Sequence, residues 1–373
     1  MLALVLAATL TSLQQAAFAT ECVASELIYI GTDTTALRAV RLDACAGRLT
    51  SLGAVADLPK PRWAVAHPSL PLLYVAVDGG TGNGRIATFG VDRSSGGLTP
   101  LGDVDAGGAG TTYLALDAAS RTLLAANFGG GSVASFGMQA DGRLSEAVST
   151  IKATGSGPHR RQASAHAHGA AVAPGGDHAL VADMGADRVF VYGFDRAKHA
   201  LMAEDAAAPR AWQAPAGSGP RRALFSADGR FVYVLSELSA DLTVLRWDSA
   251  TGRLSFVQGL ALSGPDFQGV KSASEMAFSR DGRFAYVANR GENALLVYGV
   301  NRESGELTLL QRLASGGDAP WAFELDRSGK WLLLANYRSN RVSLFGVDTA
   351  SGRLSDTGQS LESPAPVSVT FMN

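Results

Sequence analysis

The chain predicts an all-β fold: a seven-bladed β-propeller of four-stranded antiparallel blades, closed by its C-terminal strand. Three observations predict it. First, a short β-prone phrase ending in a polar residue recurs seven times: LIYIGT from Leu27, LLYVAVD from Leu72, LLAAN from Leu123, ALVAD from Ala179, FVYVLSE from Phe231, FAYVANR from Phe284 and WLLLAN from Trp331. Its end points Gly31, Asp78, Asn127, Asp183, Ser236, Asn289 and Asn336 lie 47, 49, 56, 53, 53 and 47 residues apart. Periods of this size signal radial repetition or a solenoid. Second, each repeat contains four short strand patterns joined by Gly- and Asp-rich turns. Third, no stretch of comparable length carries the 3.6-residue apolar period of a helix.

The clearest unit starts at Ser274. SEMAFS is the first strand, Arg280–Arg283 (RDGR) a tight turn, and FAYVAN the second strand. Glu292 and Asn293 turn the chain into ALLVYGV. Glu303-Ser304-Gly305 turns it again into ELTLLQRL, the outermost strand. Four antiparallel strands with tight connections make one propeller blade. Other third strands read RIATFGVD, SVASFGM, RVFVYGFD, LTVLRWD and RVSLFGVD. The first repeat lacks an upstream strand, and the C-terminal VSVTF has no successor. Pairing that run with the strand at Leu27 closes the ring and removes two exposed edges.

The repeat overrides the two or three domains that length alone suggests. One propeller spans 20–373, preceded by a leader at 1–19. Residues 2–10 are an apolar run, and Ala17-Phe18-Ala19 supplies the small-residue pattern of a secretory cleavage site. The run is too short to span a bilayer, so no membrane association is expected once it is removed. The basic segment usual in such a leader is absent. A periplasmic location follows from this reading, with the cytoplasm as the alternative. Cys22 and Cys45, the only two cysteines, both fall in the first blade and are expected to pair in an oxidising compartment. With 32 basic and 34 acidic residues the chain has no basic excess for nucleic acid.

Propeller topology carries first-strand starts and second-strand ends to the channel mouth. Arg62, Tyr113, His166, His168, Arg221, Arg222, Glu275 and Trp321 occupy the first class. Asp78, Asn127, Asp183, Glu237, Arg290 and Asn336 occupy the second. Charged groups converging on one concavity make a candidate site. Strand-end Asn and Asp also cap turns through the backbone, which is the plainer role for Asp78, Asn127 and Asn336. His166 and His168 share one strand face, but no third ligand for a metal is evident, and no cofactor motif is present. The pair Arg221–Glu237 also suits a purely structural ion pair.

At these residues the chain resembles the seven-bladed propeller lactonases, the bacterial 6-phosphogluconolactonase group that includes the fungal carboxy-muconate lactonizing enzyme. The stretches that carry the resemblance are Gly155-Ser-Gly-Pro158 with Arg161 and Gln162, His166-Ala-His168, Asp183-Met-Gly-Ala-Asp187, Gly219-Pro-Arg221, Ser236-Glu237-Leu238, Ala273-Ser-Glu-Met276 and Asn289-Arg290-Gly291. It covers roughly residues 26–370. The resemblance implies His168, Arg221, Glu237 and Arg290 as catalytic residues. The chain departs from the pattern at Trp321, where an Arg is frequent, and at Arg222, where a His is common.

The implied reaction is lactone opening by water, with Arg221 and Arg290 facing the oxyanion and His168 or Glu237 accepting a proton. Arg161, Gln162, His166, Asp183, Asn127 and Trp321 are expected to hold the substrate. No nucleophile elbow G-x-S-x-G is present. Export favours an unphosphorylated aldonolactone such as gluconolactone. The alternatives are a phosphorylated lactone, a muconate-type cyclase and a non-catalytic binding platform. The expected partner is a small-molecule lactone, on a monomer or weak homodimer. Channel-mouth side chains are expected to pack little core, so their substitution should spare the fold.

Overall fold

Seven antiparallel sheets, six of four strands and one with a short fifth, form a closed ring in the computed structural model, which describes residues 25–205 and 207–372. The expected leader at 1–19 and Cys22 lie outside the described residues. Each sheet is one blade, and every predicted second strand is a strand. Blade 6 follows its sequence reading closely, with strands Ala273–Phe278, Phe284–Asn289, Ala294–Val300 and Leu307–Ala314. Among the described residues the one helical element is a single 3-10 turn, Arg290–Glu292.

The C-terminal strand Pro366–Phe371 is the innermost strand of blade 1. It pairs antiparallel with Glu26–Thr32, setting Phe371 opposite Ile28 and Val369 opposite Ile30. The last strand is thus laid beside the first, as the unpaired patterns at the two ends predicted. Blade 4 departs from the regular plan. Its third strand, Arg188–Asp195, is covered by two short strands, Ala200–Met202 and Trp212–Gln213. The loop between them accounts for the extra residues of this repeat.

Second strands are buried along all or nearly all of their length because blades cover both their faces. Tyr29, Tyr74, Tyr233 and Tyr286 occupy equivalent places there and are fully buried. Three of them tie blade to blade. Tyr29, Tyr74 and Tyr233 each donate a hydroxyl proton to a carbonyl in the next blade's outer turn, at Gly96, Gly142 and Gly305 (3.0, 2.5 and 2.8 Å). Glycine is required there: Gly305 has φ +80°, and an added Cβ would stand 2.4 Å from the Phe231 ring. Asn127, Asn289 and Asn336 form a second set of ties. Each side-chain amide donates to the carbonyl where the preceding blade's outer strand ends: Ala106, Leu262 and Ser315. The strand-end asparagines therefore bind the neighbouring blade, and Asn127 and Asn336 also hold a serine of their own blade, Ser132 and Ser343.

The closing strand buries Val367, Val369 and Phe371, and Met372 follows it into the core. Burial is worth about 1.5–3 kcal/mol for each such side chain. Removal of residues 367–373 is expected to cost several kcal/mol and to lower the melting temperature of the whole ring, measured by differential scanning calorimetry. An unchanged melting temperature would show that another contact closes it.

Candidate active site

The innermost strands share an irregularity that decides which side chains face the mouth. In six of the seven, the pairing with the second strand skips one residue near the strand start: Val367, Thr112, His168, Arg221, Ser274 and Trp321. A bulge adds one residue and re-aims a side chain. Thr112, His168, Arg221 and Trp321 thereby line a cavity of about 960 Å³ at one mouth, together with Arg62 of blade 2. Strand ends supply Glu237 and Arg290, and the loop before blade 4 supplies Arg160 and Arg161.

Glu237 is the centre of the site. Its carboxylate is 1% exposed. Arg161 Nη1 and Arg290 Nη2 reach Oε1 at 2.6 and 2.8 Å, and Arg221 Nη1 reaches Oε2 at 2.6 Å. His168 Nε2 stands 3.7 Å from Oε2. Burial opposes ionisation of Glu237, but Arg290, Arg221, His168 and Arg161 outweigh it and hold the carboxyl well below the usual range. His168 is moved the other way for its charge: burial, then Arg221 and Arg222, push the imidazole well below its ordinary value and keep it neutral. Burial also lowers Arg221 to about 9, against the attraction of Glu237.

Trp321 backs Arg221 and Arg290. The Arg290 guanidinium lies 4.4 Å from its ring and that of Arg221 5.8 Å. Arg290 is further fixed by Ser272 Oγ, which accepts from Nε and Nη2. Its Nη1 is buried and has no partner, a donor left available beside the carboxylate.

Three expected substrate contacts are instead scaffold. Asn127, Gln162 and Asp183 are completely buried. Asn127 holds Ala106 O, Ser132 and Thr111. Asp183 Oδ1 accepts from the His166 and Ala186 backbone N–H groups. Gln162 donates to Met184 O and to Asp187 Oδ1. Asp187 in turn accepts from Gly217 N and Gly219 N, which fixes the loop that delivers Arg221. His166 does not share the cavity with His168. It donates Nδ1–H to Phe128 O and stacks on the Phe128 ring at 4.5 Å. Phe128 lines the cavity, so His166 contributes by support. Arg161 and Trp321 line the cavity as expected. Tyr113, Arg222 and Glu275 follow their bulges by one residue and lie deeper in the channel.

Sequence reasoning missed Thr112, Arg160, Asp318, Tyr337 and Arg338, which also line this mouth. The bulge shifts Thr112 by one from the residue chosen, Tyr113. The other four lie outside the strand positions searched. Among the described residues no cluster of three or more His, Cys, Asp or Glu side chains forms a metal site.

The opposite mouth is chemically different. It is a cavity of about 620 Å³ whose walls include Glu275 and Glu324. Burial pushes Glu324 up to about 8, against a hydrogen bond from Phe371 N–H and with Glu26 and Glu275 adding to the rise. Glu237 is buried, and Glu324 is half-buried in its cavity wall. The arginines decide the opposite direction of their shifts.

A family profile described as "Lactonase, 7-bladed beta-propeller" matches residues 27–371. The chain belongs to the seven-bladed β-propeller lactonase family. It is a lactone hydrolase. The chain is 30% identical to the 6-phosphogluconolactonase of Bacillus subtilis (strain 168) over 349 residues, which span 92% of this chain and 98% of that protein. Among solved structures, the periplasmic gluconolactonase PpgL of Pseudomonas aeruginosa is 32% identical with a TM-score of 0.86, covering 94% of this chain and 99% of that one. A Lactobacillus plantarum protein is 29% identical with a TM-score of 0.85, covering 94% and 100%. The lactonase fold is therefore shared along nearly the whole chain, and sugar-lactone hydrolysis is the activity these relatives support.

The burial of Glu237, Arg221 and His168 corrects the expectation that mouth residues pack little core. Removing one partner of a buried ion pair costs about 3–5 kcal/mol. Glu237→Gln is expected to lower turnover at least about a hundredfold and to lower the melting temperature as well. Arg290→Ala removes a cation that is 12% exposed and already braced by Ser272. Its turnover should fall about a hundredfold with a smaller loss of stability. Kinetics and thermal melts on both variants check this. Two equal losses of stability would show that Arg290 is as structural as Glu237.

Proposed function

We propose that this mouth hydrolyses an aldonolactone, with gluconolactone the substrate that fits best, through His168, Arg221, Glu237 and Arg290. The observation that carries the reading is the unpaired Nη1 of Arg290 beside a carboxylate held by three arginines. In the reaction, water adds to the lactone carbonyl carbon. Arg290 and Arg221 hydrogen-bond the oxyanion as it forms. His168 or Glu237 takes the proton of the attacking water. The ring C–O bond then breaks, and the leaving oxygen takes a proton to become the hydroxyl of the open acid. Arg161, at the cavity rim, and Trp321, under the guanidinium groups, hold the sugar.

A phosphorylated lactone is the second reading. Arg160, Arg161 and Arg338 at the same mouth would suit a phosphate, and the Bacillus subtilis relative carries the name of that activity. Trp321 in place of an arginine favours the neutral substrate. Initial rates on glucono-δ-lactone and on its 6-phosphate decide between them. The expected result is a higher kcat/KM for the unphosphorylated lactone. A preference of about tenfold or more for the phosphate, about 1.4 kcal/mol in transition-state binding, would overturn the choice of substrate and leave the reaction class standing.

The periplasm is the proposed location, on the apolar leader of residues 2–10 and the single cysteine pair. No helix among the described residues is long and apolar enough to cross a membrane. Cys45 lies in the turn after the Ala36–Asp43 strand, with its N–H bonded to Asp43 Oδ1. A Cys22–Cys45 bond is expected to contribute about 2–4 kcal/mol. Alkylation of denatured protein recovered from the periplasm should label no thiol before reduction and two after it. Two thiols labelled without reduction would remove both the bond and its support for export.

A further inference from the structure

The mouth holds a second arginine–carboxylate pair, built on the same positions as Arg221 and Glu237. Trp63 pairs with Ala76, two residues before Asp78, just as Arg222 pairs with Leu235, two residues before Glu237. Arg62 therefore stands where Arg221 stands, at the start of an inner strand. Asp78 stands where Glu237 stands, one residue past the second strand Leu72–Val77. One pair belongs to blade 5 and the other to blade 2, three blades away in a ring of seven, on the opposite wall. All four side chains line the same cavity.

The two pairs differ in how tightly they close. Arg221 and Glu237 meet at 2.6 Å with side chains 3% and 2% exposed. Arg62 Nη2 stands 3.9 Å from Asp78 Oδ2, with side chains 29% and 21% exposed. The first distance is a hydrogen bond, and the second leaves both partners open. Asp78 Oδ1 accepts from the Gly80 N–H at 3.0 Å, the turn-capping role its position suggests, and Oδ2 accepts no hydrogen bond from the described residues. Arg62 is anchored by charge. Its Nη2 lies 2.8 Å from Asp33 Oδ1 but out of line for a hydrogen bond, and that oxygen is buried without a hydrogen-bond partner. Lys60 Nζ also approaches Asp33, at 3.8 Å, and the Tyr337 hydroxyl donates to Asp33 Oδ2 at 3.4 Å. The Arg62 guanidinium is thus held in place with its N–H donors unspent among the described residues. Along the wall of blade 7 the two pairs are joined by aromatic rings. Trp321 and Tyr337 lie 4.9 Å apart between centroids, with Arg290 on the Trp321 ring at one side and Asp33 at the Tyr337 hydroxyl on the other.

We propose that Arg62 and Asp78 are specificity-determining residues that bind two neighbouring hydroxyls of the substrate, away from the ester bond that breaks. The proposal rests on the lactonase reading of Glu237 and its arginines and extends it to the far wall of the same cavity. A vicinal diol matches the open pair. One hydroxyl donates to Asp78 Oδ2 and the next accepts from Arg62, which bridges the gap that the two side chains leave. Hydrogen bonds to ionised groups are the strong ones. A phosphate dianion has no proton to give Asp78 and is repelled by it. The aromatic wall offers an apolar surface to the C–H face of a sugar ring. The hydroxyls can come from two sources: the tail of a single aldonolactone ring, or a second sugar joined to it. A cavity of about 960 Å³ is near the upper end of ligand-pocket sizes and has room for either.

Initial rates on three lactones test this: glucono-δ-lactone, its galactosyl derivative lactobiono-δ-lactone, and δ-valerolactone, which carries no hydroxyl. In Asp78→Ala, kcat/KM should fall about tenfold to a hundredfold more on a sugar lactone than on δ-valerolactone, the scale of a hydrogen bond to a charged group. A fall on glucono-δ-lactone assigns the subsite to the tail of the first ring. A fall confined to lactobiono-δ-lactone assigns it to the second sugar. Asp78→Asn keeps an oxygen for Gly80 and loses the charge, and Arg62→Met removes the other half of the pair. Both carry the same readout if the Ala variant does not fold. An equal fall on all three lactones marks a structural role, and no fall on any marks no contact; either result overturns the proposal. Calorimetric binding of gluconate separates the proposal from the reading beneath it. A parent that opens no lactone, yet binds gluconate at least about tenfold more tightly than Asp78→Ala does, removes the lactonase reading of the mouth and keeps the subsite. Equal binding by the two proteins, or none by the parent, overturns the subsite as well.

Discussion

Three guanidinium groups meet at one carboxylate, and the mouth of this propeller depends on that meeting. Arg161, Arg221 and Arg290 come from three different blades or their connections, and all reach Glu237 within 2.8 Å. Without a shared anion their mutual repulsion in a site closed to water would be severe. With it, the cluster is both a clasp and a reagent. It pins the inner ends of neighbouring blades to one point, and it leaves donors facing the cavity. The same contacts hold the Glu237 carboxyl well below the usual range. Its basicity is low for the same reason. The proposed hydrolysis would then draw on orientation and oxyanion stabilisation more than on a matched base.

The bulges explain how a regular fold presents an irregular site. A flat ladder would send every second residue of an inner strand to the same face. One skipped residue near the start of six of the seven strands breaks that alternation, and four of the six skipped side chains, Thr112, His168, Arg221 and Trp321, line the cavity. The ring therefore offers seven comparable positions, and their identities differ: Arg62, Thr112, His168, Arg221, Ser274, Trp321 and Val367. The chemistry is gathered on the blades that contribute His168 and Arg221, with a serine and an aromatic wall beside them. The next residue along each strand forms a second layer, in which Tyr113, Arg222 and Glu275 close the channel. The site has a charged floor as well as charged walls, and it is separated from the opposite mouth, where Glu324 stands without an arginine.

The fold was legible because the signals that specify it are local and repeated. Short apolar runs, Gly- and Asp-containing turns and a spacing of 47 to 56 residues recur along the chain, and a lone strand at the end asks for a partner at the beginning. The members of the site were legible where a charged residue stood at a place most blades fill with an amide or a small residue, as at Arg290 and Glu237. They were not legible where one type of residue serves two purposes. Asn127 and Asp183 end second strands just as Glu237 follows one, but Asn127 reaches Ala106 O in the preceding blade and Asp183 Oδ1 accepts from His166 N as well as from Ala186 N in its own turn, and a pattern of strand ends cannot reveal the distant partners. Gln162 looked like a sugar contact and is a brace for Asp187. The bulge could not be seen either, because it is a mismatch between two strands rather than a property of one. That single shift moved Thr112 into the mouth and Tyr113 out of it.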